Sequence, residues 1–507
     1  MTSHPLLLGI DIGTSSIKAS IIEINEKDNL VKIIGEKSQP LSILYGPEGK
    51  VEQNPRDYLE KSLSAVKCLV KRCGTDALNI VGIGISAQCP TLVFLDANGN
   101  CLDNAILYMD RRAKRTCEVI VKELGEEMLF KITRNVVDPY FAGYKLIWLS
   151  REKRRLYENA SRILSVGSFL AYKLTGVVAI DWITACTFAP FYDWIKMQWN
   201  EKLLCEFGLS SKKLPDKIIP PYGVVGTLTS KNAEELGLPK ETPVIIGTCD
   251  AQAAALAAGA ASKGDSIMIC GTTHLWEVIH TEESKFTKYF LNGPYIFPGL
   301  YLSAAALMTT GAVVEWFLRN FIPTSENRSK VFRILESQAR TIKPGSEGLI
   351  TLPYFMGERS PIWDPNAKGV LIGLTLSHKP AHLYRSILEG VAFALRSCGE
   401  VFESLKLMPR EVIAVNGAAK NKLWMEIIST VLRVSIKTPR PRLSSAAGAA
   451  ILSGYGVGIF KKPEEIKKFI RYEIIAEPNL EEIEAYNKAY KIFKELYWAL
   501  RKYMHEL

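Results

Sequence analysis

The sequence lacks the patterns that mark secreted, membrane-spanning and zinc-stabilised proteins. Its ten cysteines form no Cys-x-x-Cys pair and no zinc-ligand spacing, so we expect reduced, buried thiols rather than a disulfide framework. No apolar run reaches the length of a membrane span, and no basic segment precedes the short apolar run near the start. The sequence therefore predicts a cytoplasmic protein.

Patterns of nucleic-acid recognition are also missing. The formal charge of +10 comes from 63 basic and 53 acidic residues, and this surplus is spread along the chain without a long basic arm. We therefore expect no nucleic-acid partner, whereas small anionic molecules suit a mild positive surplus. The Gly-x-x-x-x-Gly-Lys-Ser/Thr phosphate loop is absent as well.

The sequence does contain enough apolar material for two cores. Hydrophobic residues make up 47% and charged residues 23% of 507 residues, a length that predicts two domains. Proline and glycine cluster in residues 215–226. We expect the boundary shortly after this cluster, between residues 246 and 247.

Residues 6–22 form two apolar runs joined by a turn of Gly, Thr and Ser, which predicts a β-hairpin. In the simplest interpretation Asp11 and the turn residues serve only the turn. The alternative is a phosphate site, because the turn can offer amides and hydroxyls, Lys18 adds a cation, and Asp11 can hold a hydrated magnesium ion. The turn residues of that site would be Gly13, Thr14 and Ser15.

A further strand is predicted over residues 80–87. A Gly-x-Gly-x-x-Ala spacing within it formally matches the dinucleotide-binding fingerprint, but that motif must open a helix. Here Pro90 and another strand-like run, residues 92–95, follow instead. A dinucleotide site is therefore rejected.

The middle of the chain carries a predicted strand-to-helix corner. Residues 244–246 predict a short buried strand, and Gly247 and Thr248 are expected to break it. An alanine-rich helix then begins near Asp250. Asp250 could cap this helix by accepting hydrogen bonds from its first amides, or it could be a catalytic carboxylate.

A second polar corner lies at Asp110, which is predicted to cap a helix whose first arginines are solvated charges. The alternative is a polar clamp for a sugar, in which Asp110 accepts hydrogen bonds from hydroxyl groups and Arg112 donates to them. The sequence leaves both interpretations open.

Residues 266–279 repeat the pattern of the first hairpin, with an apolar strand, a turn of Gly271, Thr272 and Thr273, and a second apolar strand. This repetition indicates an internal duplication. Two hairpins of phosphate type, one in each half of the chain, would face each other across a cleft.

Residues 369–389, with Gly390 after them, resemble the C-terminal signature of the FGGY carbohydrate kinase family. The two hairpins then look like the family's phosphate hairpins, and Asp250 matches its catalytic base. The resemblance implies an α/β fold of two ribonuclease-H-like (actin-like ATPase) domains, residues 1–246 and 247–507, flanking a central cleft. It also implies ATP contacts at Gly311, Gly417, Ala418 and Asn421.

The activity implied by the resemblance is transfer of the γ-phosphoryl group of ATP, with Mg²⁺, to a hydroxyl of a ketopentose such as xylulose or of a related polyol. Asp11 would hold the metal, and the sugar contacts would be Gln88, Asp110, Arg112 and Asp250. A homodimer is a candidate assembly. Ribulose, erythritol and glycerol are alternative substrates, and an actin- or chaperone-like ATPase that regulates a partner is the alternative of another class.

The sequence departs from the family pattern near the expected sugar site. Gln88-Cys89-Pro90-Thr91 stands where xylulokinases have Gln-Met-His-Gly and glycerol kinases have Gln-Arg-Glu-Thr. The two side chains that touch substrate in those members are therefore replaced, which leaves the sugar open. In addition, Tyr108 stands where many members have Trp, and Asn416 where Gly is usual.

Overall fold

A computed structural model describes residues 5–25, 27–322 and 328–507. The chain forms two compact units, each built from separate stretches of sequence. The first unit contains the described residues up to Ser262 together with Asn292–Tyr301 and Pro441–Arg471. The second unit contains the described residues of Lys263–Leu291, Leu302–Arg440 and Tyr472–Leu507. Asp250 thus lies in the first unit.

The β-strands are numbered in chain order and have the following bounds: β1 Leu6–Ile12, β2 Ser16–Asn25, β3 Leu30–Pro40, β4 Leu44–Tyr45, β5 Val51–Gln53, β6 Ile80–Ala87, β7 Leu92–Leu95, β8 Ala105–Ile106, β9 Arg162–Ser165, β10 Ile180–Asp181, β11 Tyr192–Asp193, β12 Gln198–Trp199, β13 Ile218–Ile219, β14 Val224–Thr227, β15 Pro243–Cys249, β16 Ser266–Cys270, β17 His274–His280, β18 Leu291–Pro294, β19 Tyr301–Leu307, β20 Ile350–Leu352, β21 Val370–Ile372, β22 Glu411–Val415, β23 Ser435–Arg440 and β24 Arg471–Ala476.

The α-helices have the following bounds: α1 Pro55–Cys73, α2 Lys114–Leu124, α3 Glu126–Thr133, α4 Ala142–Glu152, α5 Arg154–Asn159, α6 Val166–Thr175, α7 Trp182–Cys186, α8 Glu201–Glu206, α9 Ser230–Leu236, α10 Asp250–Ala257, α11 Gly311–Phe321, α12 Arg328–Arg340, α13 Pro380–Ser404, α14 Lys422–Leu432, α15 Ser445–Gly456 and α16 Ile483–Glu506. Among the described residues, no helix has both the length and the apolar character needed to cross a bilayer.

The first unit is organised on a sheet with the strand order β14-β15-β6-β1-β2-β3. Strand β1 pairs antiparallel with β2 and parallel with β6, and β6 pairs parallel with β15. The sequence of β1 is almost continuously apolar because the strand lies inside the sheet, where both faces are covered. The predicted hairpin over 6–22 and the predicted strand over 80–87 are confirmed.

Helix α15 packs against this sheet at very short range. A Cβ atom on Gly9 of β1 would lie 1.8 Å from the carbonyl oxygen of Ala446, and one on Gly84 of β6 would lie 1.8 Å from that of Ala449. Side chains cannot occupy these positions, so the glycines permit direct contact between the strand and helix backbones. The small-residue sequence of α15 is therefore a packing requirement of the first unit.

A smaller sheet of the first unit, with the strand order β4-β5-β8-β7-β9, brings distant polar residues together. Glu52 on β5 lies opposite Ile106 on β8, and the turn after β8 carries Tyr108, Asp110 and Arg112. This pairing places the end of β5 beside the predicted sugar clamp.

In the sheet of the second unit, strands β19-β17-β16-β22-β23-β24 follow one another. Strand β16 pairs antiparallel with β17 and parallel with β22, and β22 pairs parallel with β23. The run β19-β17-β16-β22-β23 repeats the run β3-β2-β1-β6-β15 of the first unit. The predicted second hairpin is confirmed, and the repetition of the pattern extends to the order of the strands.

Helix α13 crosses the core of the second unit and contains the end of the family signature. Glu389 is 1% exposed and binds Arg385 Nε at 2.8 Å. Its carboxylate also accepts hydrogen bonds from Gly345 N at 3.1 Å and Ser346 Oγ at 2.8 Å. Glu389, which belongs to the family signature, therefore links the turn at residues 345–346 to α13 by hydrogen bonds.

Candidate active site

Three neighbouring strands of the first unit end at the same edge of its sheet and bring polar side chains together. Asp11 on β1 lies opposite Ser86 on β6, and Ser86 lies opposite Thr248 on β15. Ser86 Oγ donates a 2.7 Å hydrogen bond to Asp11 Oδ1. Asp250 follows β15 directly as the first residue of α10. The carboxyl ends of parallel strands thus gather Asp11 and Asp250 in one place.

Both carboxyl groups have raised pKa values. The pKa of Asp11 is raised to about 7 by burial and by the charge of Asp250, while Ser86 and Lys18 act in the opposite direction. The pKa of Asp250 is raised to about 6 by burial, while the amide of Ala251 lowers it. Neighbouring carboxyls that titrate near neutral pH are typical of sites that transfer protons or bind cations.

The turn between β1 and β2 lies beside this pair. Gly13 N donates to Ser16 O at 3.0 Å, and Gln53 Nε2 donates to Thr14 O at 2.7 Å. A Cβ atom on Gly13 would lie 3.7 Å from Asp11 Oδ2, which shows how close the carboxylate is to the turn. Ser15 is exposed, and Lys18 lies opposite Asp11 in the β1–β2 ladder. The predicted phosphate residues and the predicted metal ligand are therefore neighbours.

The start of α10 differs from the predicted helix cap. The cap position belongs to Cys249, which makes no side-chain cap, and Asp250 is the first helical residue. Asp250 Oδ1 accepts a 2.8 Å hydrogen bond from the next amide, Ala251 N. Gly247 and Thr248 do not break the strand as expected, because β15 continues to Cys249 with Gly247 in the left-handed region at φ 74°.

Gln88 lies in the interior, with 1% of its surface exposed. Its Nε2 donates to Gln53 Oε1 at 2.7 Å, and the same oxygen accepts from Tyr58 OH at 2.9 Å. The backbone amide of Gln88 donates to Ile12 O at 2.8 Å. Gln88 therefore ties the end of β6 to β1 and β5, and its contact with a sugar stays a prediction.

Asp110 and Arg112 are brought together with a third charged residue. Asp110 Oδ2 accepts from Val51 N at 2.8 Å, and Arg112 binds the same carboxylate at 2.7 Å. Arg112 also binds Glu52 Oε1 at 2.8 Å, and its guanidinium group lies 4.7 Å from the centre of the Trp148 ring. The clamp predicted from the sequence is thus a buried, hydrogen-bonded ion cluster.

The prediction that a helix starts at Asp110 with solvated arginines is wrong. Helix α2 begins at Lys114, and Asp110 is 1% exposed. Arg111 Nη1 binds Asp138 Oδ1 at 2.7 Å. Asp138, which binds Arg111, and Glu52, which binds Arg112 beside Asp110, both come from other parts of the chain, so the local sequence could not reveal these two partners.

The second hairpin meets the N-terminus of α11 within the second unit. Gly271 N donates to Thr273 O at 2.9 Å, and Thr310 N donates to Thr272 O at 3.2 Å. Gly311 N donates to Gly271 O at 3.2 Å, and a Cβ atom on Gly311 would lie only 2.3 Å from that oxygen. The structure therefore brings the predicted ATP residues of the hairpin and Gly311 together, beside a helix N-terminus that suits anions.

The remaining predicted ATP residues follow β22. Gly417 and Ala418 lie in the turn after this strand, and Asn421 caps α14 by accepting from Trp424 N at 3.1 Å. Asn416 has φ 73°, in the left-handed region that asparagine tolerates better than other residues with a side chain. This conformation explains why glycine suits that position in the family pattern.

The candidate site also contains Ser86, Glu52 and Gln53, which were not predicted from the sequence. Ser86 had a detectable signal, because it is a polar residue in an otherwise apolar strand, two positions before Gln88. Glu52 and Gln53 had none, since they lie on a three-residue strand and their partners are distant in the sequence.

Comparison with known proteins gives the family. The model of the FGGY family of carbohydrate kinases, N-terminal domain, matches residues 6–257, and the model of its C-terminal domain matches residues 267–457. The chain belongs to the FGGY family of carbohydrate kinases, and the resemblance found in the sequence is confirmed.

Individual relatives agree with this assignment. The xylulose kinase of Bacillus subtilis (strain 168) is 27% identical over 496 residues, which cover 97% of this chain and 96% of the relative. The gluconokinase of the same organism is 26% identical over 473 residues, covering 90% and 88%. The crystal structure of xylulose kinase from Rhodospirillum rubrum matches with a TM-score of 0.90 at 26% identity, covering 99% of this chain and 100% of that chain. The predicted α/β fold of actin-like ATPase type is confirmed.

Proposed function

We propose that this chain transfers the γ-phosphoryl group of ATP to a hydroxyl group of a ketopentose such as xylulose, with Mg²⁺ as cofactor. The observation that carries the proposal is the placement of Asp11 and Asp250 at the ends of β1 and β15, beside the Gly13–Ser15 turn. A relative named xylulose kinase that aligns along nearly the whole chain supports the choice of sugar.

Asp250 is the general base of the proposed reaction. With a pKa of about 6 it is mostly ionised at neutral pH, yet it holds a proton more readily than an ordinary aspartate. Its carboxylate would orient the attacking hydroxyl and take its proton. The amides and hydroxyls of the Gly13–Ser15 turn, with the ammonium group of Lys18, would stabilise charge on the transferred phosphoryl group.

The residues around Asp11 fit a magnesium ion. Their donors are carboxylate and hydroxyl oxygens, which Mg²⁺ prefers. The pKa of Asp11 is raised by burial and, to a lesser degree, by the charge of Asp250, and a divalent cation would favour the ionised carboxylate against both effects. In residues 5–25, 27–322 and 328–507, no three His, Cys, Asp or Glu side chains gather as a metal site. Asp11 would therefore hold the ion through water, and the bound ion supplies charge neutralisation at the phosphates.

A gluconokinase among the relatives makes gluconate the second candidate substrate. An acidic sugar needs a cation for its carboxylate. Arg111 and Arg112, next to the predicted sugar residue Asp110, are already paired with Asp138, Asp110 and Glu52. This pairing favours a neutral sugar over gluconate.

A coupled assay of ADP release tests the proposal. The screen compares xylulose, ribulose, gluconate, erythritol and glycerol at equal concentrations, with a control that contains ATP and Mg²⁺ but no sugar. We expect the highest kcat/KM with a ketopentose, a low rate without sugar, and poor turnover of glycerol, because Cys89 and Pro90 cannot make charged contacts to so small a polyol. A fast rate of ADP release that does not depend on added sugar would instead support the ATPase alternative.

Other predictions from the sequence remain to be tested. They are the division into domains at residues 246 and 247, the cytoplasmic location, the absence of a nucleic-acid partner and the homodimer. Size-exclusion chromatography with light scattering at micromolar protein concentration would measure the assembly.

A further inference from the structure

Lys145 on α4 is a lysine with 1% of its surface exposed. Its ammonium group donates to the carbonyl oxygens of Pro139 and Tyr140, the latter at 2.9 Å, and approaches that of Tyr108 at 3.4 Å. The N–H donors of Lys145 thus join the segment around Tyr108 to residues 139–140, about 30 residues further along the chain. The family resemblance assigned no role to this residue.

The two tyrosines fastened by Lys145 extend toward the candidate active site. Tyr108 OH lies 3.3 Å from Thr14 Oγ1 in the first hairpin, and Tyr140 OH donates to Cys89 O at 2.9 Å. Their rings meet edge to face with centres 6.3 Å apart, and both residues are partly exposed. The tyrosine pair, Tyr108 and Tyr140, therefore connects the phosphate turn with the segment that departs from the family pattern.

We infer that Lys145 is a positioning residue for the sugar site, because its buried ammonium group fixes the backbone of the tyrosine pair between Thr14 and Cys89. The inference rests on the proposed function, since it assumes that a sugar binds beside this segment. Lys145 itself would touch neither sugar nor ATP.

A lysine suits the site because its ammonium group has three N–H donors for three carbonyl oxygens. Burial lowers the pKa of Lys145 to about 7, while the nearby carboxylates of Asp110 and Asp138 favour its charged form and Arg111 disfavours it. A methionine of similar length would fill the space but leave the three carbonyl oxygens without this donor. The tyrosine rings could then move by the small distances that matter for orienting a bound substrate.

The experiment compares Lys145→Met with Tyr144→Phe in the full-length protein. Tyr144 lies on the same helix, is fully buried, and its hydroxyl has no hydrogen-bond partner among the described residues, so its removal controls for a change of polarity in α4. We expect Lys145→Met to raise the KM for the best sugar about tenfold, because the tyrosine pair would no longer be held in the position that orients the sugar. The KM for ATP and kcat should change less than threefold, and Tyr144→Phe should resemble the wild type.

A second variant covers the case in which Lys145→Met does not fold. Tyr140→Phe removes only the hydroxyl bound to Cys89 O and should raise the KM for sugar about threefold. In the double variant the fold-increase in the KM for sugar should be smaller than the product of the two single increases, because both changes act on the position of one ring.

An unchanged KM for sugar in folded Lys145→Met, or in Tyr140→Phe if the former does not fold, would overturn the inference. A fall in melting temperature with normal KM and kcat would also overturn it, because Lys145 would then serve stability alone. If the wild type phosphorylates no sugar in the screen, the proposed function fails instead, so the two failures are distinguishable.

Discussion

The two hairpins of the molecule share a backbone pattern and differ in their side chains. In each, an antiparallel pair is continued by a parallel strand, and a glycine amide closes the turn through a hydrogen bond to a nearby carbonyl oxygen. The first hairpin carries Asp11 and Lys18. The second has Ile269 and Trp276 at the positions with the same spacing from the turn glycine.

The surroundings of the turns differ as well. The first turn lies beside Asp250 and is held by side chains such as Gln53. The second turn is held by the backbone of residues 310–312 at the start of α11. The duplicated scaffold thus supplies two similar turns that the sequence predicts as phosphate sites, whereas Asp11, Lys18 and Asp250, the charged groups of the proposed chemistry, all lie in the first unit.

The strongest test of this contrast is Asp250→Asn. An amide cannot take the proton of the attacking hydroxyl, so sugar phosphorylation should fall by roughly 10²- to 10⁴-fold while ATP binding survives. Turnover, ATP affinity and melting temperature should be measured on the same preparation. Turnover within a few-fold of the wild type would show that Asp250 is not the base.

The next largest effect is expected for Asp11→Ala. Loss of the carboxylate should lower kcat by about 10- to 100-fold and raise the Mg²⁺ concentration needed for half-maximal rate, because the ion loses its protein anchor. A magnesium titration of initial rates measures both quantities. An unaltered magnesium titration curve with normal turnover would show that Asp11 serves only the turn and does not hold the metal ion.

A change in the second hairpin should affect nucleotide binding more than chemistry. Gly311→Ala would force a methyl group to within 2.3 Å of Gly271 O and displace the turn. We expect the KM for ATP to rise about tenfold with a smaller change in kcat. Gly293→Ala is the matched control, because apart from its two chain neighbours no atom of the described residues lies within 4 Å of its added Cβ. Equal losses in both variants would contradict a specific role for the hairpin.

The smallest expected effect concerns stability. Asp250 has a higher pKa in the folded protein, about 6, than the ordinary 3.8, so folding favours its protonated form. Its stabilising contribution is present at pH 4 and is lost as the pH rises through about 6. Asp250→Asn should therefore melt a few degrees above the wild type at pH 8, and this difference should shrink toward pH 4. The exposed Asp216→Asn, measured by the same calorimetric scans, should show no such difference.

Local sequence was sufficient for the two hairpins of the candidate site. It was not sufficient for the start of α2, for the end of β15 or for the partners of the side chains. The hairpins were predictable because their strands are adjacent in sequence and their turns have characteristic residues. The cluster of Asp110, Arg112 and Glu52 was not, since Glu52 is 60 residues from Arg112. A charged residue near a predicted helix looks solvated until its distant partner is known.

The limits of the first unit were equally hidden. A boundary drawn on the sequence divides the chain once, whereas this unit combines three separate stretches. The sequence around the glycines of β1 and β6 does not indicate that α15 packs on them. Such pairings depend on tertiary packing, which neither propensity nor periodicity records.

The close fit of α15 on β1 and β6 has a consequence for synthesis. A chain emerges from the ribosome N-terminus first, and its early domains generally begin to fold before the rest is made. Here the strands that carry Asp11 and Ser86 are complete by residue 87, yet the helix that covers their glycines begins at residue 445 of 507. The glycines of β1 and β6 therefore lack their partner helix until most of the second unit has been translated.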